Sequence, residues 1–194
     1  MKAKAPGRRP RISSGGIIDA ALKLLNDVGL EQMSTRRLGA ALKVQGPALY
    51  YHFHDKSELL GHMAVAMLRQ SLEGLATEGT WQSWLSMVAH ATRGTLLLYR
   101  DGPQLLAHSS PTEAMRKDVL ETLIQPLLDA EFSRRDADEM IAVLSAFVTG
   151  WTIFEQNPAM RELHATRMNL DHAFKKGVDS LIVGFSREHA TKEV

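Results

Sequence analysis

Apolar residues recur at intervals of three and four along nearly the whole chain, the spacing of helices that bury one face. Over residues 14–29 the stripe is Ile17, Ala21, Leu24 and Val28, widened by Ile18, Leu22 and Leu25, and Gly29 offers a left-handed stop. A helix from Asp55 to about Gly74 carries Leu59, Leu60, Met63, Ala66 and Met67. After a polar break at 77–80, residues 81–100 place Trp84, Val88, Ala91, Thr95 and Leu98 on one face, and Asp101-Gly102-Pro103 ends that helix. A short helix is expected over 104–107. A long one follows over 112–132, with Met115, Val119, Leu123 and Leu127 inside and Pro126 as a kink. Residues 136–156, capped by Asp136, form another helix. Residues 170–189 form the last, striped by Leu170, Phe174, Val178, Leu181 and Phe185, after a polar loop or short turn of helix at 158–169. No segment alternates with period two over a useful length, so the pattern predicts an all-α fold without a sheet.

Residues 34–60 differ from this regular pattern. They read as two short helices around a tight turn, followed by the start of a longer helix. Ser34 is placed to cap the first, in which Leu38, Ala41 and Leu42 share a face. The pattern breaks at Lys43-Val44-Gln45-Gly46, and Pro47 sits at a first helical position, where its missing N–H costs nothing. The second helix, 47–53, is too short to be stable alone and is expected to be held by Leu49 and Phe53 facing inward. Gly46, Ala48, Tyr50, Tyr51 and His52 then face outward or sideways. Two exposed tyrosines and a histidine suit a surface that presses on something polar and flat, and a short second helix across a tight turn fits a DNA major groove. Asp55 and Glu58 have capping-box spacing. Lys56, in the first turn of the next helix, opposes the helix dipole unless an anion such as a phosphate sits there. His52 and His54 are two apart, which points them to different sides, and they are read as no metal site.

Charge narrows the choice of partner. The net charge is +1, yet residues 1–60 hold ten Lys/Arg against five Asp/Glu, and the remainder thirteen against seventeen. A basic front on an acidic body implies that only the front meets a polyanion. A non-specific architectural DNA binder is disfavoured by the same balance. The first thirteen residues carry Arg8, Arg9 and Arg11 and too few apolar groups to fold alone, as either a phosphate-touching arm or a solvated tail. With no cysteine there is no disulfide framework and no thiolate metal site. No apolar run approaches the roughly 18 residues of a membrane span, and no apolar region follows the basic N-terminus as in a signal peptide. A cytoplasmic protein with no membrane partner is expected. An all-α enzyme finds little support: there is no plausible nucleophile–base pair, phosphate-binding glycine loop or metal-ligand spacing, and Glu155 with His164 has nothing but the residue types in its favour.

The pattern S-T-R-x-L-x-x-x-L-x-V-x-x-P-x-L-Y-x-H-F-x-x-K-x-x-L-L, from Ser34 to Leu60, resembles the DNA-binding domain of the tetracycline repressor (TetR) family, without a gap from about Ile17. Trp81-Gln82, Arg100-Asp101-Gly102, Pro111-Thr112-Glu113 and Leu144-Ser145-Ala146 resemble landmarks of the C-terminal domain in that family's tetracycline-repressor branch. The resemblance implies a basic arm over 1–13, a three-helix helix-turn-helix DNA-binding domain over 14–60, and a helical ligand-binding and dimerisation domain over 61–194. It implies a homodimer, paired through the helices 136–156 and 170–189, on a pseudo-palindromic site in double-stranded DNA. Arg36 and Lys56 would hold phosphates. Ser34, Thr35, Gln45, Ala48, Tyr50, Tyr51 and His52 would face bases or backbone, and Gly46 and Pro47 would let the helix end approach closely. Gln45 and Arg36 are the better base readers.

The resemblance also implies a small-molecule effector that opposes DNA binding through the helix 55–74, most simply in a repressor, with an activator of the same fold left open. Here the sequence departs from the tetracycline-binding pattern. The positions that hold a magnesium–drug chelate in that branch fall on Leu106, Ser109 and either Phe154 or Glu155. Those that grip the drug fall on Leu72, Val88, Thr92, Ser110 and Thr122. One imidazole ligand has become leucine, so no tetracycline–magnesium recognition, no cofactor and no metal are expected, and the lining favours a more apolar ligand.

Overall fold

The computed structural model describes residues 13–192, all helix and connecting loop. The arm arginines Arg8, Arg9 and Arg11 lie outside the described residues. α1 (Ser14–Gln32) is capped by Ser13, whose hydroxyl accepts from the Gly16 N–H, and buries Ile17, Ala21, Leu24 and Leu25. Gly29 does break its helical path, at φ +77°, but the chain then resumes for one more turn instead of stopping. α2 (Thr35–Leu42), α3 (Gly46–Tyr50) and α4 (Lys56–Leu72) complete the front. In α2 the buried stripe is Leu38, Gly39 and, in part, Leu42, while Ala41 is exposed. A Cβ at residue 39 would lie 3.1 Å from the Val44 carbonyl oxygen, so the turn closes onto the glycine. Leu49 and Phe53 are buried as expected, which anchors the five-residue α3.

The body begins at α5 (Trp81–Leu98), capped by Thr80, with the Trp84 indole N–H donating to the Leu123 carbonyl at 3.0 Å. Leu98, expected on the buried face, is exposed, because the last turn of α5 turns Thr95 and Leu96 inward instead. α6 (Gly102–His108) is longer than the expected 104–107, since Pro103 is tolerated in a first turn. A π-helical turn, Met115–Leu120, runs directly into α7 (Glu121–Leu128), and Pro126 sits inside α7 well past this irregularity. α7 stops at Leu128, short of the expected 132, where Glu131 takes φ +66° and the Phe132 N–H bonds back to Leu127.

α8 (Arg134–Gln156) is capped by Ser133, not Asp136. The Ser133 hydroxyl accepts from the Asp136 N–H at 3.1 Å. By length and composition α8 is apolar enough to cross a membrane, which the sequence pattern did not suggest; here it packs against α5, α6, α7 and α10 in the bundle. Of the two readings of 158–169, loop or short turn of helix, the structure takes the helix: α9 (Pro158–Ala165), started by Asn157, whose side-chain oxygen accepts from the Ala159 N–H. α10 (Leu170–Lys192) buries Phe174 and Val178. Gly177 allows close approach, because a Cβ there would collide with the Phe147 ring of α8, whereas Gly184 has nothing near it.

One apolar core runs through front and body, from Ile17 and Leu38 by way of Met63 and Met67 to Ile124 and Phe174. α4 is the element common to both halves.

Candidate DNA-facing surface and candidate effector cavity

Local chemistry orders the front surface. The Ser34 hydroxyl accepts from the Arg37 N–H at 3.2 Å, so its side chain is used in starting α2. Thr35 is half-buried beside it, and Arg36 is exposed. Lys43 in the left-handed region (φ 56°) ends α2, and Gln45 precedes α3 without making a side-chain cap, exposed and unspent. Ala48 is exposed. Tyr50 and Tyr51 are 54% and 83% exposed, values unusual for large aromatic side chains. His52 differs from the outward reading: it is half-buried, and its Nδ1 lies 3.0 Å from the Ser14 hydroxyl, which ties the end of α3 to the start of α1. Asp55 caps α4 through the Glu58 N–H at 2.8 Å, and the Glu58 carboxylate accepts from the His54 N–H. Lys56 is then held, exposed, in the first turn of α4.

Behind this front lies a cavity of about 350 Å³. Its walls are Leu68 and Leu72 of α4, Val88 and Thr92 of α5, Leu106 of α6, the π turn, and Leu144 of α8. Among the described residues no Asp, Glu, His, Lys or Arg lines it. The polar groups that reach it are hydroxyls: Ser71, Thr92, Ser145 and Thr149.

Cavity and front are physically joined. Met115, Val119 and Leu120 of the π turn line the cavity, and Asp118 of the same turn pairs with Arg69 of α4. A second joint lies at the α5–α6 corner. Asp101 accepts from the Leu30 N–H at 2.8 Å, just past the Gly29 break, and the Arg100 N–H donates to the Asn26 side chain at 2.7 Å. The α1 helix therefore rests on the body at its C-terminal end. α4 and α6 thus line the cavity and also touch the front, α4 by packing on α1 and α6 through Asp101 at its N-terminus.

Residues 17–63 match the sequence profile of bacterial regulatory proteins of the tetR family, and residues 73–178 match that of the tetracyclin repressor-like C-terminal domain. The chain belongs to the TetR family. A tetracycline repressor protein of class G from Vibrio anguillarum is 36% identical over 93% of this chain and 96% of its own. A point variant of TetR from Acinetobacter baumannii AYE, solved in complex with minocycline, superposes with a TM-score of 0.77 at 39% identity, covering 90% of this chain and 93% of that one. BioQ solved with its double-stranded DNA operator superposes with a TM-score of 0.71 at 28% identity, covering 89% and 97%. The protein is thus a TetR-family transcriptional regulator, a helix-turn-helix DNA-binding protein with a ligand-responsive helical domain, of a family whose members act as homodimers.

Within that family the effector positions divide. Leu72, Val88, Thr92 and Leu106 do line the cavity. Ser109 does not; its hydroxyl bonds the Leu106 carbonyl at 2.9 Å. Ser110 lies outside, bonded to Ser57 of α4 at 2.8 Å. Thr122 is exposed on α7 and donates to the Asp118 carbonyl. Phe154 packs its ring at a tilt against Trp151 and His164. Glu155 is consumed by Arg93, whose Nε donates to it at 2.8 Å and whose guanidinium also reaches Asp171 of α10. Both side chains of the Arg93–Glu155 pair are nearly buried, and the carboxylate raises the arginine further above its ordinary pKa, mainly by hydrogen bonding. The residues at the chelate positions therefore do not fit a magnesium ion: one is apolar, one is bonded to backbone, and the acid is already neutralised. Sequence reasoning missed Ser71, Met115, Val119, Leu144 and Thr149. All but Thr149 sit on an apolar helical stripe, where a wall and a core residue look alike, and Thr149 flanks the stripe of α8.

Proposed function

We propose that this protein is a homodimeric repressor that leaves a pseudo-palindromic operator when an uncharged small molecule enters the cavity. Its basic arm spans 1–13, its DNA-binding domain 14–60 and its effector and dimerisation domain 61–194. Arg36 and Lys56 hold phosphates, Gln45 reads a base, and Tyr50 and Tyr51 press on the DNA backbone. Ala48 offers a methyl to the groove, and Gly46 and Pro47 admit the backbone closely. Ser34 and His52 position this surface, one by capping α2 and the other by tying α3 to α1. The protein acts in the cytoplasm, where its DNA is, and performs no catalysis.

The observation that carries the effector class is the cavity lining, apolar with hydroxyls and without a charged group. A related repressor holds minocycline. Here the absence of an imidazole at Leu106 and the capture of Glu155 by Arg93 argue against a metal-chelated drug. Ligand entry is coupled to DNA release because the cavity walls on α4 and α6 also seat the front. By reciprocity, DNA bound to the dimer weakens the ligand by the same factor. Selection of bound sequences from random duplex DNA, followed by footprinting, tests the reading. A protected pseudo-palindrome is expected, and the absence of any enriched sequence overturns it.

A further inference from the structure

Two of the four hydroxyl groups at the cavity, Ser71 and Thr92, can be assigned proton by proton. Ser71 is 4% exposed, and its hydroxyl lies 2.7 Å from the Leu68 carbonyl oxygen. A carbonyl only accepts, so the single Ser71 proton points there. The Ser71 oxygen also lies 3.3 Å from the Thr92 hydroxyl oxygen. With the Ser71 proton already spent, Thr92 is the donor in that pair. The Thr92 oxygen is left with lone pairs and no proton, on the α5 wall of the cavity, across from the Ser145 and Thr149 hydroxyls that α8 contributes to the lining.

We propose that Thr92 selects the effector: an uncharged, largely apolar molecule carrying one hydroxyl or N–H group, whose hydrogen the Thr92 oxygen accepts. This rests on the reading that the cavity is the effector site, and it adds the polarity of the recognised group. A molecule bearing only an acceptor, such as an ether, meets no proton at Thr92 and gains nothing there. A hydroxyl with no partner in this cavity is penalised for its lost hydration. A cation or carboxylate finds no counter-charge.

The test uses the full-length dimer and three probes of nearly equal size: 1-naphthol, 1-methylnaphthalene and 1-methoxynaphthalene. Each displaces the fluorescent reporter N-phenyl-1-naphthylamine. In the wild type, 1-naphthol should bind better than its greater water solubility allows, at least as tightly as 1-methylnaphthalene. Thr92→Val, nearly isosteric, should shift the naphthol-to-methylnaphthalene affinity ratio by about tenfold toward the hydrocarbon, the size of one net hydrogen bond. Thr92→Ser should keep the wild-type ratio. Ser71→Ala frees the Thr92 proton and should let 1-methoxynaphthalene gain several-fold over 1-methylnaphthalene. A ratio unchanged within about twofold between the wild type and Thr92→Val overturns the proposal. So does failure of all three probes to displace the reporter from the wild type, an outcome that holds even if a variant does not fold. A footprint taken on the same preparation separates the two readings: an intact footprint with no selectivity removes the effector class alone, and a lost footprint removes the regulator.

Discussion

The surface proposed to face DNA is carried by one continuous stretch, Ser34 to Lys56, whereas the cavity takes its walls from α4, α5, α6, the π turn, α7 and α8. The first surface is made by exposure. Its side chains stand out because they are costly to leave in water, Tyr51 above all, and because short helices are started and stopped around them by Ser34, Lys43 and Asp55. The second is made by incomplete filling. Its residues are the same leucines and valines that fill the rest of the core, and what distinguishes them is a gap between helices. Mutations at the front should therefore alter DNA binding and spare stability, while those around the cavity should alter ligand binding and stability together.

The largest expected effect tests the boundary between cavity and core. Arg93→Ala leaves Glu155 nearly buried without its cation and should cost about 3 kcal/mol of stability by denaturant unfolding. Arg93→Met combined with Glu155→Leu should recover most of that loss, because an apolar pair of similar volume avoids burying the charges. An Arg93→Ala protein as stable as the wild type would return Glu155 to the set of candidate ligand groups.

Val88→Phe comes next. Val88 is 6% exposed yet faces the gap, so a phenyl ring has somewhere to go. Reporter dye binding should fall by about tenfold or more, while the change in stability stays within about 1–3 kcal/mol because the ring enters space instead of displacing neighbours. Operator affinity should persist. Loss of operator binding together with the dye would mean that the gap is part of the packed seat of α4, and the division between surface and cavity would fail.

How these two regions appear in sequence follows from how they are made. Leu38, Leu49 and Phe53 were legible as anchors, and Tyr50, Tyr51 and Lys56 as the presented face, because period and cost are local. His52 was not legible as a tie, since its partner Ser14 lies 38 residues away. In the body, the helices were legible and their roles were not. Thr92 lines the cavity as expected, yet its proton state depends on Ser71 from another helix. Glu155 was placed among ligand positions, and only the fold brings Arg93 to it. The polar composition of α9 left loop and short helix both open, and Asn157 and Pro158, which start it, decide for the helix.

A smaller effect belongs to the front alone. Lys56→Ala should weaken binding to all DNA sequences about equally and reduce the salt slope of operator binding by about one unit, with no change in melting temperature. A loss confined to one operator would make Lys56 a reader of bases, and a drop in stability would make it part of the fold.

The smallest expected effect separates the two sides of α5. Val88 and Thr92 face the cavity, while His90 packs its ring edge-on against Phe174 of α10, with centroids 5.1 Å apart. Its partial burial, followed by Arg93 and Lys175, lowers its pKa from the ordinary 6.5, partly offset by Asp179 and Asp171. The folded protein therefore resists the imidazolium more than the unfolded chain does. Stability from this residue is intact above the ordinary value and is lost as pH falls through it toward the lowered one. Because the ring is largely exposed, the slope is shallow. Melting temperatures should fall slightly more from about pH 7.5 to about pH 5.5, a span that brackets the ordinary histidine range, for the wild type than for His90→Gln, and dye binding in the cavity should be the same for both proteins at each pH. A pH-dependent difference in dye binding would mean that the outer face of α5 reports to the cavity, so that the cavity and the α10 side act as one coupled body.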